Sequence, residues 1–306
     1  ILYLVVSHVG QRRDAASRGA LVSAARSSKG RGLGPHARVL IGDLRREAAQ
    51  QRARWLGIAE RGGFLEALWP ELERDENRNI VTHLDLAGKV SLENRVQHVV
   101  SIAEALEKDW GLRTLRLGFD DVGDAGVAAL ARALRAKATG LTELDLSGNK
   151  VGPAGAAALS DALKVNRVLT ALNLRFNRIG PTGATALADA LKVNGVLTNL
   201  ILYRNNIGDE GATALASALE VNGVLKSLIL HSNNIGDEGA KAIGGALAVN
   251  GVLTTLNLFN NYIGDEGAKA ICEALAVNGV LKHLDIRGNG LGDEEKGAIR
   301  GAVSRR

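Results

Sequence analysis

Methionine is absent from the 306 residues, even at position 1, and cysteine occurs once, at Cys272. The missing start reads as a fragment, a processed product or an incomplete gene model. A single thiol excludes an intrachain disulfide, and with it the cystine-rich secreted scaffolds. Proline occurs four times and aromatic residues make up only 3%, so any core is built from Leu, Ala, Val and Ile. No uninterrupted apolar run approaches the ~18 residues that span a bilayer. Catalytic signatures are missing too. SSKGRGLG lacks both the spacing and the Lys-Ser/Thr end of a phosphate-binding loop, and no H-E-x-x-H, C-x-x-C or G-x-S-x-G occurs. His83 and His283 share a repeat position in the first and last units, which ~4.8 Å strand spacing puts roughly 34 Å apart, too far to share a metal. What is present is a globular balance, 46% apolar and 23% charged. The net charge is +5 with pI about 9.4, which raises the question of nucleic acid.

Internal repetition answers most of the fold question. From Leu141 the chain repeats every 28 residues: LTELDLSGNKVGPAGAAALSDALKVNRV, then LTALNLRFNRIGPTGATALADALKVNGV, then units from Leu197, Leu225, Leu253 and Leu281. Looser units begin at Val81 and Leu112, making eight over residues 81–306. Each opens with apolar residues at the first, fourth and sixth places, and a segment such as GATALADAL follows at helical spacing. Alternation implies a strand and the 3.6-residue spacing a helix. One such unit cannot bury its apolar face, so only stacking gives a continuous core.

Asn149, Asn177, Asn205, Asn233, Asn261 and Asn289 recur at the ninth place, where a buried amide can bond neighbouring turns. Lys89 and Asp120 stand there in the first two units, so those turns are expected to be less regular. A second series, Asn166, Asn194, Asn222, Asn250 and Asn278, follows each helix, and Asn-Gly there suggests a left-handed helix end. Pro153 and Pro181 suit the first helical position, and Asp209, Asp237, Asp265 and Asp293 suit the cap of their own helices. Glu238–Lys241 and Glu266–Lys269 are expected as pairs at i,i+3. Cys272 is expected to be a small packed thiol.

Leu-x-x-Leu-x-Leu with Asn at the ninth place resembles the leucine-rich repeat signature, and the 28-residue period resembles its ribonuclease-inhibitor-like subclass. The resemblance covers about three quarters of the chain. It implies an α/β solenoid, a right-handed horseshoe with parallel strands on the concave side and helices on the convex side.

Residues 47–80 read as a helical amino-terminal cap carrying Trp69. The last unit reads as the carboxyl-terminal cap, with Ala298, Ile299, Ala302 and Val303 facing inward. Residues 1–46 belong to neither and hold nine basic and two acidic residues. They read as a disordered or targeting leader that offers at most non-specific phosphate contact. Residues 81–306 hold 24 basic and 24 acidic residues. The net charge is thus no property of the array.

The candidate site lies among the variable residues. The third, fifth and seventh places of a unit point away from the core. In the central units these and the eighth place carry Arg175, Phe176, Ile201, Tyr203, Arg204, Ile229, His231 and Phe259. Apolar and aromatic residues edged by Arg make the composition of an interaction hot spot. The expected function is a non-enzymatic scaffold that binds a protein on its concave face, cytoplasmic and monomeric, without cofactor, metal or membrane. Two alternatives follow from the resemblance. One is a Ran-type GTPase-activating protein, for which Arg95 is a loose arginine-finger candidate, although the acidic tail expected of that family is replaced by Ser304-Arg305-Arg306. The other is the sensor portion of a longer immune-receptor-like chain.

Overall fold

The computed structural model describes residues 83–88, 95–107, 111–136 and 139–304. The leader expected over 1–46 and the cap expected over 47–80 lie outside the described residues.

Strands and helices alternate without exception among the described residues. The strands are β1 (His83–Asp85), β2 (Thr114–Arg116), β3 (Glu143–Asp145), β4 (Ala171–Asn173), β5 (Asn199–Ile201), β6 (Ser227–Ile229), β7 (Thr255–Asn257) and β8 (His283–Asp285). The helices are α1 (Arg95–Glu107), α2 (Gly123–Arg135), α3 (Pro153–Val165), α4 (Gly180–Leu191), α5 (Gly208–Val221), α6 (Asp237–Val249), α7 (Asp265–Val277) and α8 (Asp293–Ser304). The strands pair in chain order in one parallel sheet. Register is fixed by leucine: Leu172 lies opposite Leu144 and Leu200, and Leu228 opposite Leu200 and Leu256. Each helix packs on the next, so sheet and helices form the two layers of an α/β horseshoe.

Each unit fills the space between the layers in the same way. In the fourth, Leu169, Leu172 and Leu174 from the strand side meet Ala184, Leu187, Ala188 and Leu191 from α4, all 0–1% exposed. Burying one leucine contributes roughly 2 kcal/mol. The core runs unbroken from Leu84 to Ile299. At the last unit Ile299 is buried as expected, while Ala298 is exposed, because only the inner edge of α8 meets α7; the side chains of Ala302 and Val303 lie outside the described residues.

Two asparagine lattices join the units. Asn205 Nδ2 donates to Leu174 O of the preceding unit at 2.8 Å and to Leu202 O of its own at 2.9 Å. Asn261 Oδ1 accepts from Asn233 N at 2.8 Å and Ile235 N at 3.1 Å, both in the preceding unit. The second series works differently from the expectation. Asn166, Asn222, Asn250 and Asn278 are extended, with φ between −68° and −79°, and not left-handed. Their side chains decide this. Asn222 Nδ2 donates to Leu191 O of the preceding unit at 2.7 Å, and its Oδ1 accepts from Val224 and Leu225 N–H groups at 3.0 and 2.8 Å. The amide itself closes the loop, so the following glycine has no conformational duty there.

Asp209, Asp237 and Asp265 also act between units, while Asp293 pairs with Lys296 of its own helix at 3.5 Å. None caps its own helix. Asp209, in the first turn of α5, accepts from Gly236 N at 2.7 Å and Gly239 N at 2.9 Å, capping α6. Asp237 does the same for α7 through Gly264 and Gly267, both at 2.8 Å. The residue before the junction therefore sets the turn. After an Asp, Gly236 and Gly264 are extended, at φ −99° and −97°. After Pro153 and Pro181, which offer no carboxylate, Gly180 and Gly208 turn left-handed, at φ +64° and +63°. Their N–H groups go to Asn205 O and Asn233 O instead. Glu238 pairs with Lys241 as expected, at 3.2 Å, but Glu266 pairs across units with the same Lys241, at 3.8 Å.

Candidate functional site: the aromatic row on the concave face

The eighth place of every unit is left-handed. Gly88, Gly148 and Gly288 occupy it with φ of 67°, 66° and 73°. Phe119, Phe176, Arg204, Ser232 and Asn260 occupy it with φ between 52° and 63°. A left-handed conformation costs an ordinary L-residue about 1 kcal/mol. For a bulky ring it is an outlier. Phe119, Phe176 and Arg204 are thus held where glycine would be the unstrained choice, and their turn lifts each side chain onto the edge of the concave face.

These side chains meet those of the seventh place in one continuous row. Phe176 meets Tyr203 edge-on, with centroids 4.9 Å apart. Tyr203 stacks on His231 at 3.9 Å and 17°. His231 meets Phe259 edge-on at 6.2 Å. Contacts of this kind contribute roughly 1 kcal/mol beyond area. Phe119 extends the row in the other direction, 6.1 Å from Phe176, although a whole unit lies between them. Gly148 permits this, since a Cβ there would collide with the Phe119 ring. Phe119 stands two units before Phe176 in the sequence, too far along the array for spacing alone to join it to the patch. The glycine between the two phenylalanines was the available signal.

Ile201 and Ile229 lie beside the row, half-buried and directly opposite each other across β5 and β6. Arg175 donates to the Tyr203 hydroxyl at 3.2 Å, and its guanidinium lies 5.9 Å from the Phe176 centroid and 5.8 Å from that of Tyr203. Arg204 lies 5.1 Å over Phe176. All eight expected residues therefore form one surface spanning β4 to β7. Phe259 is 40% exposed and Phe119 57%, so the row ends are open to solvent.

The electrostatics of the row favour neutral rings between cations. Burial, and then the nearby Arg204 charge, lower the His231 pKa, which Asp285 only partly opposes. Asp285 is itself held low, first by its hydrogen bonds from the Arg287 side chain at 2.9 and 2.8 Å. No group of three or more His, Cys, Asp or Glu arranged to hold a metal occurs among the described residues. Burial and two nearby glutamates, Glu295 and Glu273, raise the Cys272 thiol, which disfavours the thiolate. Arg95 opens α1, but its side chain lies outside the described residues. No helix among the described residues is long and apolar enough to cross a membrane.

The family model for the leucine-rich repeat matches residues 138–160, 165–188, 194–216, 221–244, 249–272 and 277–294. No curated protein matches the chain. Among solved structures, the chain is similar to leiomodin-1 actin-binding site 2, at 30% identity over 40% of this chain and 70% of that one, with a TM-score of 0.36. It is also similar to the tropomodulin C-terminal domain of Caenorhabditis elegans, at 17% identity over 58% of this chain and 92% of that one, with a TM-score of 0.41. Six matched units in succession, on a sheet whose leucines stay in register from β1 to β8, place the chain in the leucine-rich repeat family.

Proposed function

We propose that this protein is a non-enzymatic scaffold, of the ribonuclease-inhibitor-like subclass and cytoplasmic, that grips a protein partner on its concave face. The gripping residues are Arg175, Phe176, Ile201, Tyr203, Arg204, Ile229, His231 and Phe259. One observation carries the reading: bulky residues hold left-handed positions on the concave edge where glycine serves elsewhere in the same array. Backbone strain of this kind concentrates at functional sites. The rings are pre-organised by one another, so little side-chain freedom is lost when a partner arrives.

The test is affinity capture with the full chain and with a Tyr203→Ala, Phe259→Ala double variant. The expected result is a defined protein retained by the wild type and lost by the variant, which still unfolds cooperatively with a midpoint lowered only by the lost ring contacts. Equal retention by both removes the patch from the function.

A further inference from the structure

We infer that the patch takes a protein segment in which an acidic side chain stands next to a large apolar one. This rests on the concave-face reading above and says what the surface selects. Four arginines stand in the fifth, seventh and eighth columns of the array. Two are already neutralised within the protein: Arg116 by Asp85 at 3.6 Å and Arg287 by Asp285 at 2.8 Å. The other two, Arg175 and Arg204, have no carboxylate within ion-pair distance among the described residues, and both belong to the aromatic row. Arg175 Nε is buried and has no hydrogen-bond partner there. Cation–π contact with Phe176 and Tyr203 holds the guanidinium groups in place while leaving their donors unmatched by negative charge.

A carboxylate from outside fits these donors, because arginine offers a planar fork matched to it. Ile201 and Ile229 form an apolar floor between the row and the centre of the sheet, which suits a neighbouring leucine, isoleucine or aromatic side chain. Single-stranded nucleic acid also seeks rings and arginines. Here, however, the Tyr203 face is taken by His231 and the Phe176 and Phe259 rings meet their neighbours edge-on. Glu143 and Asp145 on β3 line the same concavity as Ile201, where a phosphate chain would be repelled. A short segment seated on β4 to β7 avoids those acids.

The experiment selects a displayed library of random 12-residue peptides on the immobilised full chain. The selected peptides are expected to place Asp or Glu within a few residues of Leu, Ile, Phe or Trp. An Arg175→Glu, Arg204→Glu variant is expected to weaken them by at least about tenfold, as loss of charge-assisted hydrogen bonds does. The Lys-for-Arg double variant, which keeps the charge, retains part of the binding and controls for folding. Selected peptides without acidic residues, binding that ignores the reversal, or no enrichment at all would each overturn the inference. So would displacement of the peptides by an oligodeoxythymidine. Peptides that ignore the arginines but are lost with Tyr203→Ala and Phe259→Ala overturn the inference and leave the proposed function standing. Peptides indifferent to both variants overturn both.

Discussion

The first three strands and the next four share one backbone and differ in what they do with polar groups. On β1 to β3 the concave face satisfies itself. Asp85 pairs with Arg116, Asp145 accepts from Asn173 at 3.0 Å, and Glu143 accepts from Thr114 at 3.5 Å. On β4 to β7 the same columns carry isoleucines, rings and two arginines without carboxylates. Beneath β3 to β7 the asparagine lattice is continuous, while Lys89 and Asp120 stand in its place in the first two units. The contrast separates two tasks that sequence composition mixes: residues that hold the units together, and residues free to differ because they do not.

The largest expected effect tests whether the lattice is indifferent to the face above it. Asn149→Leu and Asn205→Leu should each lower unfolding free energy by about 3 kcal/mol, since each strands several buried backbone groups. Chemical denaturation checks this, and a large difference between the two would mean that the regions differ in frame as well as surface. Next, Asp237→Ala should cost about 1 kcal/mol by uncapping α7, not α6. Hydrogen exchange locates the loss, and increased exchange at Asp237–Gly239 with none at Asp265–Gly267 would contradict the cross-unit cap.

A smaller effect has opposite signs in two assays. Arg204→Gly relieves a left-handed arginine and should stabilise the protein by about 0.5 kcal/mol, while reducing partner capture. Loss of stability together with capture would show that the residue is held for packing. The smallest effect is a pH dependence. The His231 pKa is lowered on folding, so the unfolded chain binds more protons below its ordinary value of about 6.5. Stability should therefore fall as pH drops from there through the folded value. His231→Phe should flatten that slope in a thermal-melt series, and an unchanged slope would assign it to other groups.

The period, the leucine places and the ninth-place asparagines were legible because each is a pattern within one unit. The eight patch residues were legible because they break that pattern. Less visible were the contacts that run between units. Asp209 and Gly236 are 27 residues apart, and a reading unit by unit assigns the aspartate to its own helix. Asn222 followed by glycine resembles a left-handed helix end, yet its amide reaches Leu191 and keeps the backbone extended. The left-handed eighth place hid behind Phe119, Phe176 and Arg204, because only three of eight units show the glycine that betrays it.

The glycine at each junction accepts either an aspartate or a proline in the unit before it, extended in one case and left-handed in the other. An aspartate unit and a proline unit can therefore each be followed by the next, one glycine changing its conformation and its N–H acceptor to suit. An array made this way can lengthen, shorten or reshuffle by whole 28-residue modules, and its binding face can be rewritten one strand at a time while a single glycine absorbs the change at each joint.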